Sequence, residues 1–565
     1  MKQLLAVLVL LLAVKPLAAG EWYPVVIHVH TVFSDGGGTP DEVAATISAA
    51  LAKARYDGKC AIIVCDHFDG VARNFDAYAA TIRKASGGKV ILIPGLELGS
   101  KWRPEPNTEA VSHLLAIGNL PASYRTLLEC YDLRTSGNGL PLLDRFDMQQ
   151  RLIEKVLTLG MLPIAAHPTQ LVVGGTLARS DNRFDSTGNH KGLLGFEMFN
   201  TLGPGQDQKC VELYLAEIKA GQSMILTAGS DYHGTTLALP DRIVGSLKRV
   251  TWVFADEFSE AGILKAVAEG KTYAADDDAR FGNFLSDFGQ NPGSAVVGVD
   301  KVTIAAQAWL TGTDIWIIVY RDGEEVVRQH YDGSPNQRRV YSLNGGDSLN
   351  TGWVDSNAQV GETHSYVVRV TASTKPVSQT ILITSPIVLR LREPGLTDSF
   401  FDAIKSGNLP AIEAGLTTDP SLANSRDQRE NYNFTVHISR PLALSVACAL
   451  GNAATVDYLL GHGASPDGYL TAGEPGPLME VAISGDVEKA SLLLKHGANI
   501  NICTDGNTPL AWALGGKKVE LAKFLLDHGA DPNSRSDNGD YALAIARRQG
   551  LTEIVRILEA KGAKE

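Results

Sequence analysis

The sequence lacks three patterns that assign many proteins to a class. The six cysteines of this 565-residue chain are scattered and form no CxxC pair, so neither a disulfide framework nor a cysteine zinc site is indicated. Acidic residues outnumber basic ones, 63 to 51, and the net charge of −12 argues against a general affinity for the nucleic-acid backbone. Gly36-Gly37-Gly38 has no following Lys-Ser or Lys-Thr, which favours a flexible turn over a phosphate-binding loop.

Long apolar segments are also missing after the first twenty residues, so no membrane span is expected there. The start of the chain is different. Lys2 precedes a short apolar run at residues 4–14, and Ala18-Ala19-Gly20 resembles a signal-peptidase site. We therefore predict that residues 1–20 are a signal peptide, cleaved near Ala19 or Gly20, and that the protein is exported to the periplasm or secreted.

Up to about residue 230, short apolar runs alternate with amphipathic stretches. Such runs are typical of strands buried on both faces of a parallel sheet. Seven strands are predicted, at residues 25–30, 61–66, 90–94, 112–118, 162–166, 193–199 and 224–228. Helices are expected between them at residues 41–54, 75–84, 147–159 and 211–220. Repeated βα units predict an α/β fold, either a barrel or a doubly wound sheet, with ligands at the carboxyl ends of the strands.

Histidines and acids collect at the ends of these runs. His28 and His30 end the first run, and alternation along a strand predicts that they point the same way. Asp35 follows in the next loop, and the other candidates are His67, Glu97, His167, Asp231 and His233. His113 starts the fourth run, which either runs in the opposite direction or enters from the rim. Carboxylates that converge on one edge repel each other unless a cation neutralises them, so a multinuclear metal site is predicted.

The order of these motifs resembles one enzyme family. The motifs are His28-Val29-His30 with Ser34-Asp35, Asp66-His67, Pro94-Gly95-Leu96-Glu97, residues 113–118, Ala166-His167-Pro168 and Ser230-Asp231-Tyr232-His233. Together they resemble the polymerase-and-histidinol-phosphatase (PHP) superfamily of metal-dependent phosphoesterases. Lys271-Thr272-Tyr273-Ala274 and the β-rich segment after it resemble the carbaryl-hydrolase-like branch. The resemblance implies a distorted seven-stranded (β/α) barrel over residues 21–285.

The resemblance also implies nine ligands for two or three divalent metal ions. One ion would take His28, His30, Glu97 and Asp231, a second would share Glu97 and add His113 and His167, and a third would use Asp35, His67 and His233. Imidazole and carboxylate ligands suit zinc, manganese or iron, and they do not choose among these metals.

The expected chemistry is hydrolysis by a metal-bound hydroxide held by His28, His30, Glu97 and Asp231, because divalent ions lower the pKa of bound water. Phosphate-ester hydrolysis is the default activity of the family. Attack on a carboxyl ester or a carbamate by the same hydroxide is the alternative. Arg73, Lys101 and Arg103 either contact an anionic group of the substrate or are solvated loop charges.

From about residue 295 the apolar pattern changes to alternation, for example at residues 314–320 and 365–370. Turn signals such as Asp322-Gly323 separate these segments, which predicts a small antiparallel β-sandwich over residues 295–392. His330 and His364 lie in this region without a carboxylate-rich context, and we interpret both as structural.

Residues 396–565 repeat at about the ankyrin spacing of roughly 33 residues. The recurring segments are Gly461-His462-Gly463-Ala464, Lys495-His496-Gly497-Ala498, Asp527-His528-Gly529-Ala530 and Ala560-Lys561-Gly562-Ala563. They resemble about four ankyrin repeats, with a more divergent opening repeat at residues 397–422. Ankyrin stacks present a concave binding surface, which favours a protein partner. A stabilising cap without a partner, and a binding module for which the barrel is only a scaffold, are the other interpretations.

Overall fold

The structure is a computed structural model that describes most of the chain after residue 20. The described residues are 21–34, 36–53, 58–71, 75–102, 110–118, 145–166, 168, 171–174, 178–181, 191–198, 204–232, 249–276, 280–281, 292–304, 306–343, 352–373, 378–427, 429, 441–468, 476–503, 507–536 and 539–564. The predicted signal peptide lies outside them.

The first part of the chain, up to residue 275, alternates strands and helices. Its elements are β1 (Glu21–Val29), α1 (Pro40–Lys53), β2 (Cys60–His67), α2 (Phe68–Val71), α3 (Phe75–Lys84), β3 (Val90–Trp102), β4 (Ala110–Ile117), α4 (Arg145–Thr158), β5 (Leu162–Ala165), β6 (Leu171–Gly174), β7 (Ala178–Asp181), β8 (Gly195–Glu197), α5 (Pro204–Lys219), β9 (Ile225–Thr227), β10 (Gly229–Tyr232), β11 (Val250–Ala255), α6 (Glu260–Ala268) and β12 (Thr272–Ala275). A strand is present at each of the seven predicted positions, and the four predicted helices are present. The mixed α/β fold is confirmed.

The strand pairing determines which strands are neighbours and in which direction each one runs. β1 pairs in parallel with β2 and β10, β2 with β3, β5 with β8, and β8 with β9. β4 is antiparallel to both of its neighbours, β3 and β5, so the run that contains His113 is the reversed strand. β9 and β10 are separated by one residue, and they pair with β8 and β1, respectively.

Two apolar clusters lie on opposite faces of these strands. The helix-side core packs Val26, Val29, Ile62 and Val64 with residues of α1, α3, α4 and α5, among them Val43, Tyr78, Ile153 and Tyr214. The inner core contains residues from the other face, among them Val25, Ile27, Ile63, Cys65, Ile93 and Leu115, together with Ile263, Ala266 and Val267 of α6. Burial on both faces explains why the strands are near-continuous apolar runs in the sequence.

The next region is almost entirely β. It contains β13 (Arg280–Phe281), β14 (Gly293–Val299), β15 (Thr303–Ile304), β16 (Gln307–Arg321), β17 (Glu324–Tyr331), β18 (Ser334–Ser342), β19 (Trp353–Val354), β20 (Thr363–Ser373), β21 (Ser378–Thr384) and β22 (Ile387–Leu391). Among its described residues the pairs are antiparallel except β14 with β22, which is parallel, so the prediction of an antiparallel region is wrong at this pair. β21 also pairs with β12, which joins the two regions into one sheet.

The C-terminal region contains five described helix pairs. The helices are α7 (Leu396–Ser406), α8 (Leu409–Thr418), α9 (Ala443–Leu450), α10 (Ala453–Gly461), α11 (Pro477–Ser484), α12 (Val487–Lys495), α13 (Pro509–Gly515), α14 (Val519–Asp527), α15 (Ala542–Arg548) and α16 (Thr552–Ala560), with a 3₁₀ helix at Pro420–Asn424. Glycines at the recurring positions 463, 497, 529 and 562 have φ between 74° and 98°, a conformation that other residues adopt only at a cost. Among the described helices, none has both the length and the apolar character needed to cross a bilayer.

A buried polar junction attaches this stack to the β-rich region. Arg392 follows β22, and its Nε donates to Asp419 Oδ2 at 2.8 Å while its Nη2 donates to Ser421 Oγ at 3.0 Å. The N–H of Gly298 in β14 donates to the same Ser421 Oγ at 2.8 Å. A side chain at position 298 would collide with both Asp419 and Ser421, so a glycine is needed at this junction.

One buried acid in the helical stack predicts a pH dependence of stability. Glu480 in α11 is 4% exposed, its Oε1 has no hydrogen-bond partner among the described residues, and burial raises its pKa from 4.5 to about 7. The unfolded chain loses the proton of Glu480 at a lower pH than the folded protein does. The free energy of unfolding therefore falls as the pH rises from 4.5 to 7, by about 3 kcal/mol in total. Glu480→Gln should therefore stabilise the protein at pH 8 and have little effect at pH 4.5.

The measurement is urea unfolding followed by far-UV circular dichroism at both pH values. Glu488→Gln, an exposed glutamate in the neighbouring α12, is the matched control and should show no such gain. A difference between Glu480→Gln and the wild type that is equal at pH 4.5 and pH 8 would contradict the prediction.

Candidate metal centre

The centre of the candidate site is the carboxylate of Glu97, which is 2% exposed. Nε2 of His28 and Nε2 of His30 each lie 3.4 Å from Glu97 Oε2, and both histidines are fully buried. One ligand atom from each of the three side chains lies within 4.8 Å of the others. Among the described residues, this is the one group of three or more such side chains that is close enough to share an ion.

Two further histidines contact the same carboxylate. Nδ1 of His67 lies 3.1 Å from Glu97 Oε2, and Nδ1 of His113 lies 2.6 Å from Glu97 Oε1. The side chains of His67 and His113 are 34% and 24% exposed, whereas His28 and His30 are at 0%. Solvent therefore reaches the cluster from the side of His67 and His113.

Strand alternation explains three of these positions. Each of these three residues lies an even number of positions from an inner-core residue of its own strand, so it shares that residue's face. The pairs are Ile63 and His67 on β2, Ile93 and Glu97 on β3, and Leu115 and His113 on β4. His67 is also directly opposite Glu97 in the parallel β2–β3 pair. Glu97 lies inside β3, which extends to Trp102, and not after the strand as predicted.

His28 reaches the site through a β-bulge. The register between β1 and β2 shifts between Ile27 and Val29, and His28 has φ of 66°, a left-handed conformation that is uncommon for a residue with a side chain. Regular alternation would place His28 and His30 on the face of Val26, in the helix-side core. Because of the bulge, Val29 lies on the same face as Val26, in the helix-side core. The two histidines do face one carboxylate, but simple alternation is not the reason.

Asp66 holds the loop that follows His30. Its Oδ1 accepts hydrogen bonds from the backbone N–H of Thr31 at 2.7 Å and from Ser34 Oγ at 2.6 Å, and its Oδ2 accepts from Thr31 Oγ1 at 2.6 Å. Asp66 is fully buried on the opposite face of β2 from His67. The Asp of the Asp66-His67 motif thus fixes the loop, and the His contacts Glu97.

Glu197 is a site residue that the sequence did not reveal as one. It is the last residue of β8 and is fully buried, and both of its carboxylate oxygens lie 3.0 Å from His28 Nδ1. It lies within the predicted apolar run 193–199. The one feature of the sequence that could have identified Glu197 is its charge within an apolar run, since a carboxylate in a buried strand needs a partner.

The remaining predicted ligands are less completely described. Asp35, Arg73, Arg103, His167 and His233 lie outside the described residues. Lys101 lies in β3 and Asp231 in β10, and their side chains are likewise outside the described part. Of the nine predicted ligands, the structure thus brings together His28, His30, His67, Glu97 and His113. The role of all nine as metal ligands stays a prediction.

The histidines of the β-rich region have acidic neighbours, most of them distant in the sequence. His364 Nδ1 lies 2.6 Å from Asp322 Oδ2 and its Nε2 lies 3.2 Å from Glu362 Oε2, while His330 Nε2 lies 3.0 Å from Asp314 Oδ1. The interpretation that these histidines lack a carboxylate-rich context is wrong. Strand pairing brings Asp322 to His364 and Asp314 to His330, and Glu362 precedes His364 by two residues. In His364 the two nitrogens face different carboxylates, an arrangement that ties β20 to the β16–β17 turn.

The donor set around Glu97 suits a divalent transition metal. Two ligand atoms held about 2.1 Å from a zinc-sized ion in tetrahedral geometry lie about 3.4 Å apart. The His28–Glu97 and His30–Glu97 distances match this spacing. Cys65, two residues before His67, is fully buried in the inner core, and burial raises the pKa of its thiol.

Comparison with known proteins identifies ankyrin repeats in the C-terminal region. Residues 444–536 match the family "Ankyrin repeats (3 copies)". The chain is 35% identical over 97 residues to the 2-5A-dependent ribonuclease of Mus musculus, a match that covers 16% of this chain and 13% of that protein. It is 27% identical over 172 residues to a putative ankyrin repeat protein of Rickettsia felis, with 27% of this chain and 75% of that protein covered.

A third relative is zygote-specific protein 3 of Chlamydomonas reinhardtii, 34% identical over 88 residues that cover 15% of this chain and 24% of that protein. The chain thus spans less than a quarter of the length of the mouse and Chlamydomonas relatives. The ankyrin repeats predicted from the sequence period are confirmed over residues 444–536. The recurring histidines cap helices there: His462 Nδ1 lies 2.8 Å from the carbonyl of Tyr458, and His528 Nδ1 lies 2.8 Å from that of Phe524.

The contacts of Asp66 predict that its charge stabilises the loop after β1. In Asp66→Asn an amide N–H₂ would face a donor in place of one carboxylate oxygen, which should lower the free energy of unfolding by about 2–3 kcal/mol. The measurement is urea unfolding in a chelator, so that metal binding does not contribute. Asp256→Asn, an exposed aspartate after β11, is the control and should change stability by less than about 0.5 kcal/mol. Equal effects of the two variants would contradict this role for Asp66.

Proposed function

We propose that this protein is an exported metal-dependent hydrolase, with phosphate esters as its substrate class. The observation that carries the proposal is the convergence of His28 and His30 on one oxygen of Glu97, with spacings that fit a shared divalent ion. The resemblance of the ordered motifs to the PHP superfamily supports the same chemistry. The cofactors under this proposal are two or three divalent ions of zinc, manganese or iron.

The strand pairing supports a closed barrel of the PHP type. The ladder runs from β1 through β2, β3, β4, β5 and β8 to β9, and the chain from β9 continues into β10, which pairs with β1. We infer that these strands close a distorted seven-stranded ring around the inner core. The Glu97 cluster would then lie at one end of the ring, and α6 would cover the other end.

The roles of the chain's own residues follow from their positions. His28 and His30 would hold one ion from the buried side, with Glu97 as the shared carboxylate. His113, on the other oxygen of Glu97, would belong to a neighbouring ion, so that Glu97 bridges the two. Bound divalent ions lower the pKa of water and polarise the bond under attack. A substrate would approach from the exposed side, past His67 and His113.

A second proposed function rests on the C-terminal stack. Ankyrin repeats commonly bind other proteins on the concave face of the stack, and the match over residues 444–536 favours a protein partner. The polar junction at Arg392 would hold such a partner in a fixed position relative to the rest of the protein. If the chain hydrolyses nothing, protein binding through this stack is the function that remains, with the α/β region as its scaffold.

The test is metal analysis of the purified protein combined with a substrate screen. We expect at least one tightly bound divalent ion per chain, and hydrolysis of aryl phosphates or mononucleotides. Glu97→Gln and Asp231→Ala should lose activity by more than the roughly 10–100-fold typical of residues that only orient a ligand. His364→Gln is the matched control, because it alters a histidine between carboxylates in the β-rich region and should leave metal content and activity unchanged.

Two results would change the proposal. Turnover confined to carboxyl esters or carbamates would assign the alternative substrate class to the same site. Less than one ion per chain, with full solubility and no hydrolysis of any ester, would contradict the hydrolase and leave the ankyrin-based binding protein.

A further inference from the structure

We propose that Glu197 is a positioning residue that holds the imidazole of His28 in the tautomer and orientation that a metal ion requires. This inference rests on the proposed metal site and adds a residue from outside the predicted ligand set. Glu197 is fully buried, as is His28, and its two carboxylate oxygens are equidistant from His28 Nδ1 at 3.0 Å. The opposite ring nitrogen, Nε2, is the one that faces Glu97.

The chemistry of imidazole links the two sides of the ring. A neutral imidazole carries its proton on one nitrogen and a lone pair on the other. A carboxylate at Nδ1 can only accept, so it selects the tautomer with the proton on Nδ1 and leaves the Nε2 lone pair for a metal. The negative charge of Glu197 also makes Nε2 a stronger donor towards a cation.

The backbone around Glu197 is arranged to hold this carboxylate. The carbonyl of Glu197 accepts a hydrogen bond from Cys210 Sγ at 3.2 Å, and the next N–H, of Met198, donates to Thr227 O at 2.7 Å. The carboxylate packs on Gly229 in β10, where a Cβ would lie 2.5 Å from the carboxyl carbon. Because Gly229 is opposite Ile27 in the β1–β10 pair, its missing side chain leaves space for Glu197 directly beside His28.

His28 needs such a partner more than a residue on a regular strand would. Its φ of 66° places it on a bulge, so the direction of its side chain is not fixed by strand alternation. A bulge residue in a left-handed conformation carries a strain cost that the surrounding contacts must offset. The hydrogen bond from His28 Nδ1 to Glu197 spans 169 residues of sequence and supplies a specific contact for this ring.

A purely structural role for Glu197 makes a different prediction. If the carboxylate only stabilised the buried interior, its replacement would lower the stability of the metal-free protein and leave the metal affinity of the folded protein unchanged. If it orients His28, the metal affinity falls even where the metal-free fold is intact. The measurement must therefore separate affinity from stability.

The experiment compares wild type, Glu197→Gln and Glu197→Leu as full-length proteins stripped of metal. Zn²⁺ affinity is measured by competition with a chromophoric chelator, and the Co²⁺ complexes are compared by their visible absorption spectra. Loss of a residue that orients a metal-binding histidine typically weakens binding by about 10–100-fold. We expect about 10-fold for Gln, which keeps the shape and an acceptor, about 100-fold for Leu, and an altered Co²⁺ spectrum in both.

Glu217→Gln is the matched control, since Glu217 in α5 is also a buried glutamate, at 5% exposure. It should leave the Zn²⁺ affinity unchanged. Thermal unfolding of each metal-free variant shows whether it folds. If Glu197→Leu does not fold, the comparison of Glu197→Gln with the wild type decides the role of Glu197. Wild-type Zn²⁺ affinity and Co²⁺ spectrum in a folded Glu197→Gln would overturn the assignment of Glu197 and leave the proposed hydrolase intact.

The two proposals fail in different ways. A wild-type protein that binds Zn²⁺ but hydrolyses no ester would contradict the proposed function, while the affinities of the Glu197 variants would still decide the role of Glu197. A wild-type protein that binds no divalent ion would overturn both.

Discussion

The burial of one carboxylate is the constraint on which the candidate site depends. Glu97 is 2% exposed and faces nitrogens of four histidines. An uncompensated charge in such a position costs several kcal/mol. Neutral imidazoles offer hydrogen bonds but no positive charge, whereas a divalent cation supplies charge and ligand bonds together. This charge balance supports our proposal that the cluster is a set of metal ligands.

Three local features around Glu97 position the histidines that contact it. The bulge at His28 turns two histidines away from the helix-side core and towards the carboxylate. Asp66 ties down the loop after His30 from the opposite face of β2. Glu197 contacts the far side of the His28 ring. Each of these features uses a buried polar group: His28, Asp66 and Glu197 are all 0% exposed.

Much of the fold follows from the sequence, because its signals are local. Seven apolar runs gave seven strands, and the recurring Gly-Ala segments gave the ankyrin repeats of residues 444–536. The bulge at His28 did not follow, because it depends on how β1 registers against β2. The pairing of Glu197 with His28 joins residues 169 apart, and the parallel β14–β22 pair joins segments about 90 residues apart. Contacts of this kind arise only when distant strands meet, so no local pattern encodes them.

The most direct test of the proposed metal site is a crystal structure of the full-length protein, with diffraction data collected on both sides of the absorption edges of zinc, iron and manganese. We expect an anomalous peak about 2.0–2.2 Å from His28 Nε2, His30 Nε2 and a carboxylate oxygen of Glu97. The absence of any peak at this position in crystals grown with these metals, with the three side chains still in place, would contradict it.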